Sequence, residues 1–396
     1  MTRNLMKKTG MIAVTVLCLL VTLLAACSAD PETSYLSEAI DQDGIRCVLN
    51  GSLPTQQFEN LRILRYEDLV TIGLPATDQP LIARSGLKGG VAIGPGGSIG
   101  YGEYSPSELR VFNADGSFLW RAGREGEGPG EFSSPMFVDY SEAAGWTVFD
   151  LYRCRICSFT DDGISDRTLS YVELPDSFGP FYIAGISDRR FWYLGQRPVS
   201  PDNPVRKHLV YLAGWNSLAA AEVFQYPVYS AIVRENGRNY KPVYPQSYGV
   251  NESGHFWLNH TLEYQIEVFD PDDGEHWRIR RDCEARDYEP GFRRRIESTP
   301  ISERRTDVFP RLPDQALAIA DIIPAANGLM WVINAQVDDS PERQVDVFTA
   351  TGEYLSRFWM DDVPILLIEE DYLLRTGEAP DGSPLIIKSR YWLEDR

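Results

Sequence analysis

The chain has 396 residues, with 57 acidic side chains against 38 basic ones, a formal charge of −19 and an isoelectric point near 4.7. A surface that acidic argues against nucleic acid or anionic lipid as the main partner. Apolar residues make up 43% of the chain and aromatic ones 12%, enough for a large core in two or three domains or in one long repeat array.

Residues 1–26 read as a signal peptide. Arg3, Lys7 and Lys8 open it, and the apolar run from Met11 to Ala26 is short for a membrane span. The run stops at Leu24-Ala25-Ala26-Cys27, which resembles the lipobox of bacterial lipoproteins. The resemblance implies cleavage before Cys27 and lipid, palmitate included, on that cysteine. The membrane would then be a partner through an anchor and not through a span. An ordinary signal peptide followed by an incidental cysteine is the other reading. Ser28 stands where enterobacterial lipoproteins retained at the inner membrane carry aspartate, so the resemblance implies the outer membrane of a bacterial cell envelope. Cleavage leaves 396 − 26 = 370 residues with a charge of 35 − 57 = −22, because three basic residues leave with the peptide. Residues 27–44 read as a tether, and 45–396 as one repeat array.

Strand character begins at Leu61–Leu74, a segment with no repeat unit of its own. Hairpins with period-2 alternation then recur at Val91–Tyr104, Met136–Leu151, Phe181–Gln196, Tyr248–Thr261, Ala318–Ala335 and Pro364–Glu378. A second hairpin follows each of the first five. Its best copies are Leu109-Arg110-Val111-Phe112, Ile266-Glu267-Val268-Phe269 and Val345-Asp346-Val347-Phe348, each running into a turn that ends in glycine. Cys157-Ser158-Phe159 matches them, and His208–Trp215 is a degraded copy. Start points at 91, 136, 181, 248, 318 and 364 step by 45, 45, 67, 70 and 46 residues, the spacing of four-stranded blades with insertions near 224–247 and 281–317. The last unit has only Leu385–Leu393 as its third strand, so Leu61–Leu74 is expected to supply the fourth and close the ring. The expectation is an all-β, six-bladed propeller of four-stranded antiparallel blades. Trp146, Trp192, Trp257 and Trp331 are expected between blades.

Gly123–Pro135, followed by Trp146–Asp150 and Arg155–Phe159, resembles the NHL repeat, and the chain is similar to bacterial six-bladed propeller lipoproteins related to that group. The resemblance covers residues 60–396. It implies fold and not reaction, since such relatives include protein- and RNA-binding scaffolds as well as lyases and hydrolases.

Chemical motifs are sparse. His208, His255, His260 and His276 show no helical i, i+4 pair, and His255 and His260 read as strand residues on opposite faces. Asp270, Asp272 and Asp273 fit a glycine-terminated turn better than a calcium loop. No metal or cofactor is expected. Cys47, Cys154, Cys157 and Cys283 read as structural thiols or a disulfide in an exported chain; Cys154-Arg155-Ile156-Cys157 enters a strand, whereas redox pairs of that spacing open a helix. No G-x-S-x-G elbow is present.

Two insertions hold the candidate partner-binding residues. Phe224–Tyr248 carries Tyr226, Tyr229, Tyr240, Tyr244 and Tyr248, rigid amphipathic surface for a sugar or peptide, or else cover for a blade edge. Arg278–Arg311 holds ten arginines against seven acids, with Arg293, Arg294 and Arg295 consecutive. They either dock an anionic partner or neutralise the protein's own acidic surface, and the part near Phe292–Ser298 reads as helical. The function expected is a lipid-anchored envelope propeller that binds a protein or glycan; the alternative is an envelope hydrolase or lyase with its site at the channel mouth.

Overall fold

The protein is described by a computed structural model over residues 36–51, 62–73, 90–104, 106–142, 144–150, 153, 155–170, 182–185, 190–197, 207–214, 220–227, 233–235, 238–240, 247–282, 286–298, 316–325 and 328–395. The signal peptide and Cys27 lie outside these residues.

A hairpin of β1 (Leu36–Ile40) and β2 (Arg46–Asn50) precedes the long strand β3 (Arg62–Ile72). Three four-stranded antiparallel sheets follow in chain order. The first is β4 (Val91–Ile93), β5 (Ile99–Tyr104), β6 (Ser107–Phe112) and β7 (Phe118–Ala122). The second is β8 (Pro135–Ser141), β9 (Gly145–Asp150), β10 (Arg155–Phe159) and β11 (Ser165–Ser170). The third is β12 (Tyr182–Gly185), β13 (Arg190–Arg197), β14 (Lys207–Gly214) and β15 (Ala220–Pro227). A two-stranded ribbon, β16 (Val233–Glu235) and β17 (Arg238–Tyr240), lies in the next connection. The fourth sheet, β18 (Ser247–Val250), β19 (Phe256–Asn259), β20 (Gln265–Phe269) and β21 (His276–Arg281), is widened to six strands by β2 and then β1 on its outer edge. Beyond the helix α1 (Pro290–Ser298) come β22 (Ile319–Ala325), β23 (Leu329–Asn334), β24 (Glu342–Phe348) and β25 (Tyr354–Asp361). The chain ends with β26 (Ile365–Ile368), β27 (Tyr372–Glu378) and β28 (Pro384–Asp395).

The turn glycines sit where the hairpins need them. Gly116, Gly163, Gly274 and Gly352 have φ of 82°, 81°, 74° and 95°, a backbone region that a side chain would strain.

β3 pairs with β28 in antiparallel register from Ile72 opposite Ile386 to Arg62 opposite Asp395. Two features depart from the expected separate units. The start of β3 also pairs in parallel with β25, through Arg62 with Phe358 and Ile63 with Trp359, and Ala325 of β22 bridges Ile368 of β26. These short bridges join β3 and the last seven strands, β22–β28, into one closed ring. The bridge to β25 uses the first two residues of the 11-residue β3, Arg62 and Ile63. The described part of the expected tether, residues 36–44, is strand β1 and its turn, since β2 finds a parallel partner along β21.

The inner strands β6, β9, β19 and β20 are buried at successive positions, so both faces of their sheets are covered, and clusters form at successive seams. Leu109 and Val111 of the first sheet meet Trp146 and Val148 of the second. A Cβ on Gly100 would lie 2.0 Å from the Trp146 ring, so β5 needs glycine there for the indole to enter. Phe149 and Ile156 pack with Phe191 and Trp192 of the third sheet, and Trp192 lies 5.5 Å from Phe256 of the fourth. Trp257, Trp277 and Ile279 join Ile322, Met330 and Val332. Ile323, Trp331 and Val345 pack against Ile365, Ile368, Leu373 and Leu64. A last cluster brings Ile72, Leu374 and Ile386 onto Val91, Ile99 and Phe112 of the first sheet. The four tryptophans expected between sheets, Trp146, Trp192, Trp257 and Trp331, are each at most 5% exposed.

Candidate functional site

Antiparallel alternation decides where the connections emerge. Turns between second and third strands share an end with the links that leave each fourth strand, so the chain leaves β15 and β21 at that end. Contacts agree: Arg286 donates to the carbonyl of Ala335, beside the β23–β24 turn, at 2.7 Å. Tyr288 and Phe292 pack there with Ala316, Leu317 and Ala335. The helix α1 starts where Glu289 accepts the amides of Gly291 and Phe292 at 3.0 and 2.8 Å, an N-terminal cap followed by proline.

The segment Gly123–Pro135 lies at this same end and is braced from within. Arg155 donates to the carbonyls of Gly126, Glu127 and Glu131 at 3.0, 2.7 and 2.9 Å. Asp150, fully buried, accepts the Ser133 amide at 2.7 Å, and Arg124 binds Glu131 at 2.6 Å. Its polar groups are spent on holding the loop.

A buried polar slot recurs on the third strand of four sheets, facing the preceding sheet, at a position that the apolar pattern of the sequence passes over. It holds Arg110, Cys157, Glu267 and Asp346, at 4%, 0%, 1% and 0% exposure. Asp346 accepts from Arg357 Nε at 2.7 Å, Arg281 at 2.6 Å, Tyr264 Oη at 2.8 Å and Asn334 at 3.0 Å. Burial alone would raise its carboxyl, but the two guanidinium groups and Asn334 hold it below the usual carboxylate range. Glu267 accepts from Arg278 Nε at 2.9 Å and pairs with His276 Nε2 at 2.7 Å, while His260 Nε2 stands 3.6 Å away. Burial opposes ionisation here too, yet the histidines and Arg278 bring the carboxyl down to about 2. Arg278 reaches onward to Asp43 at 2.8 Å and to Asp41, so it also clamps the turn between β1 and β2. Arg110 donates to Glu108 at 2.6 Å with Glu103 at 3.9 Å; those carboxylates face each other across β5 and β6.

Three histidines, His208, His260 and His276, gather at one seam. Tyr226 stacks on His260 at 4.7 Å and meets His208 edge-on at 5.5 Å, and Phe224 lies 5.4 Å from His276. His255 and His260 sit at either end of β19 rather than inside it. His255 pairs with Asp270 at 3.1 Å. The sequence offered no pairing signal for these groups beyond composition.

Cys47 and Cys157 are free buried thiols, and burial pushes both thiols up, away from reactive thiolate. Cys154 and Cys283 lie outside the described residues, as do Tyr229 and Tyr244. Tyr240 ends β17, its backbone paired with Val233. Arg293 pairs with Glu297 at 3.3 Å on α1, and Arg295 pairs with Asp339 and lies over the Phe292 ring at 5.3 Å. Arg294 is exposed on the same helix. Two of the three arginines therefore neutralise neighbouring carboxylates, and one faces solvent.

No protein-family model matches the chain, and no curated protein is similar to it. Among solved structures, a Bacteroides fragilis protein described as exported is similar over 87% of this chain and 99% of its own, at 12% identity and a TM-score of 0.52. A virginiamycin B lyase from Staphylococcus aureus matches at 11% identity over 82% of this chain and 98% of its own, with a TM-score of 0.40. A gluconolactonase from Xanthomonas campestris matches at 11% identity over 85% and 93%, with a TM-score of 0.41. The structural neighbours are propeller-type proteins. Identities this low speak of the fold alone.

Proposed function

We propose that the protein is a six-bladed β-propeller, anchored by lipid on Cys27 in the bacterial envelope, that binds a protein or glycan through the end carrying its two insertions. The observation that carries the reading is their common placement. The links after β15 and β21, which carry Tyr240 and Tyr244, and Arg293, Arg294 and Arg295, in sequence, both leave fourth strands at the same end of their sheets, which supports a common face. Support for six blades comes from the seam clusters, which run from each sheet to the next and back to the first. β3 would then be the outer strand of the sixth blade. The described residues contain no helix long and apolar enough to cross a membrane, and the exported Bacteroides protein is compatible with an envelope location.

The test deletes residues 229–246, or replaces Arg293, Arg294 and Arg295 together by alanine, and follows a crosslinked envelope partner. Each variant should lose the crosslink while its melting temperature holds. Retention by one folded variant removes its insertion from the binding face, and retention by both refutes the loop reading.

A hydrolase or lyase is the second reading, favoured by one observation: Glu103 and Glu108 are opposed across β5 and β6, both at most 6% exposed. Paired carboxylates are the raw material of acid–base chemistry. If the protein turns over lactone or glycan substrates, Glu103→Gln should abolish the turnover; unaltered turnover dismisses this pair.

A further inference from the structure

The hairpin β1–β2 is surplus to its sheet, which has four strands without it. It is nonetheless held firmly: β2 runs beside β21 from Arg46 with Trp277 to Asn50 with Arg281, and Arg278 grips Asp41 and Asp43. Asn50 crosses to the link between β24 and β25, donating to the Gly352 carbonyl at 3.0 Å and accepting the Tyr354 amide at 2.9 Å. β1 is the outermost strand, exposed along its whole length, with Leu36 37% and Ile40 68% exposed. Leu36 lies only 36 − 27 = 9 residue steps from Cys27. Fully extended, they span about 30 Å, so a lipid on Cys27 keeps β1 close to the bilayer surface.

Charge removes the objection that the acidic surface raises. Residues 36–50 hold three acids and Arg46, a balance of −2; β21 adds Arg278 and Arg280, and Glu267, which shares Arg278, takes one back, so −2 + 2 − 1 = −1 once Arg281 is assigned to Asp346. This edge is close to neutral in a mature chain of −22. An edge this close to neutral meets little repulsion from anionic headgroups.

We propose that β1 is the membrane-facing edge of the protein: Leu36 and Ile40 rest at the headgroup level, and the ring stands on its rim beside the phospholipid surface. The inference rests on lipidation of Cys27. Two apolar side chains bind lipid weakly by themselves; the covalent anchor supplies the attachment and β1 sets the orientation. A ring held by its rim keeps both ends of its axis accessible.

The test uses the full lipidated chain in phospholipid vesicles. The photocrosslinking residue p-benzoylphenylalanine replaces Leu36 or Ile40 in turn, and Leu119 or Ile164 as controls, which are 47% and 61% exposed on other sheets. Phospholipid adducts are read by mass spectrometry, and the Cys27 peptide is weighed in the same digest. Lipid adducts at 36 and 40, absent at 119 and 164, are the expected result. Equal adducts at all four positions, or adducts at the controls alone, overturn the orientation while leaving the anchor in place. A Cys27 peptide without lipid overturns the anchor, and the orientation falls with it.

Discussion

Replacing Asp346 by asparagine removes one charge from a site that changes little in shape. The carboxylate is fully buried and takes donors from Arg281, Arg357, Asn334 and Tyr264. Asparagine fills the same volume and keeps an acceptor, so the lost quantity is the counter-charge of two guanidinium groups. Their side chains differ in access to water: Arg357 is 21% exposed and can rehydrate, while Arg281 at 5% cannot. The expected cost is therefore that of one uncompensated buried charge, about 3–5 kcal/mol. With an unfolding entropy that scales with length, a chain of this size should melt about 4–7 °C lower. Urea denaturation and calorimetry would read the change. Asp346→Asn with Arg281→Met should recover part of the loss, because the stranded charge is gone. The acidity has a defined sign: the folded carboxyl is depressed below 3.8, so its contribution is whole above that value and disappears as pH falls through the lower folded one. The variant should lose less stability than the parent between neutral pH and pH 3. A variant within 1 kcal/mol of the parent, with an unaltered acid limb, would refute the account of Asp346 as the counter-ion of this seam.

Trp331 is 5% exposed, 4.8 Å from the Phe358 ring and 5.6 Å from Tyr391, so Trp331→Ala should cost about 3–5 kcal/mol, read as a shift of the urea midpoint. Gly100→Val would drive a side chain into the Trp146 ring, and a loss of about 1–3 kcal/mol or more in thermal melts is expected. Arg278→Met removes the cation that Glu267, Asp41 and Asp43 share. Amide exchange in Arg46–Asn50 should then show local opening easier by about 1.5–3 kcal/mol, with little change at Trp331.

The hairpins were legible because their signals are local. Alternation at Ile266–Phe269 and a glycine at Gly274 need no distant information, since period two and a positive φ are properties of a few consecutive residues. The long strand at Arg62–Ile72 was legible by subtraction, as a strand without a unit facing a unit short of a strand. The charges at Arg110, Glu267 and Asp346 stood in the same repeated motif as polar letters among apolar ones, and alternation alone reads such letters as solvent-facing. Burial of that face by the preceding sheet reverses the reading. The partner of each charge is the part no local pattern holds: Arg281 and Asp346 are 65 residues apart, and Arg278 and Asp41 are 237 apart.

The strand pattern and the positions of the hairpin turns can be read from the chain alone, because each follows from the stereochemistry of neighbouring residues. Tertiary structure alone decided that β1 and β2 widen the fourth sheet, that β3 reaches both β28 and β25, and that Arg293 and Arg295 turn to nearby carboxylates. Those outcomes depend on which edges and charges become neighbours when sheets pack, and adjacency in space is not written in the spacing along the chain.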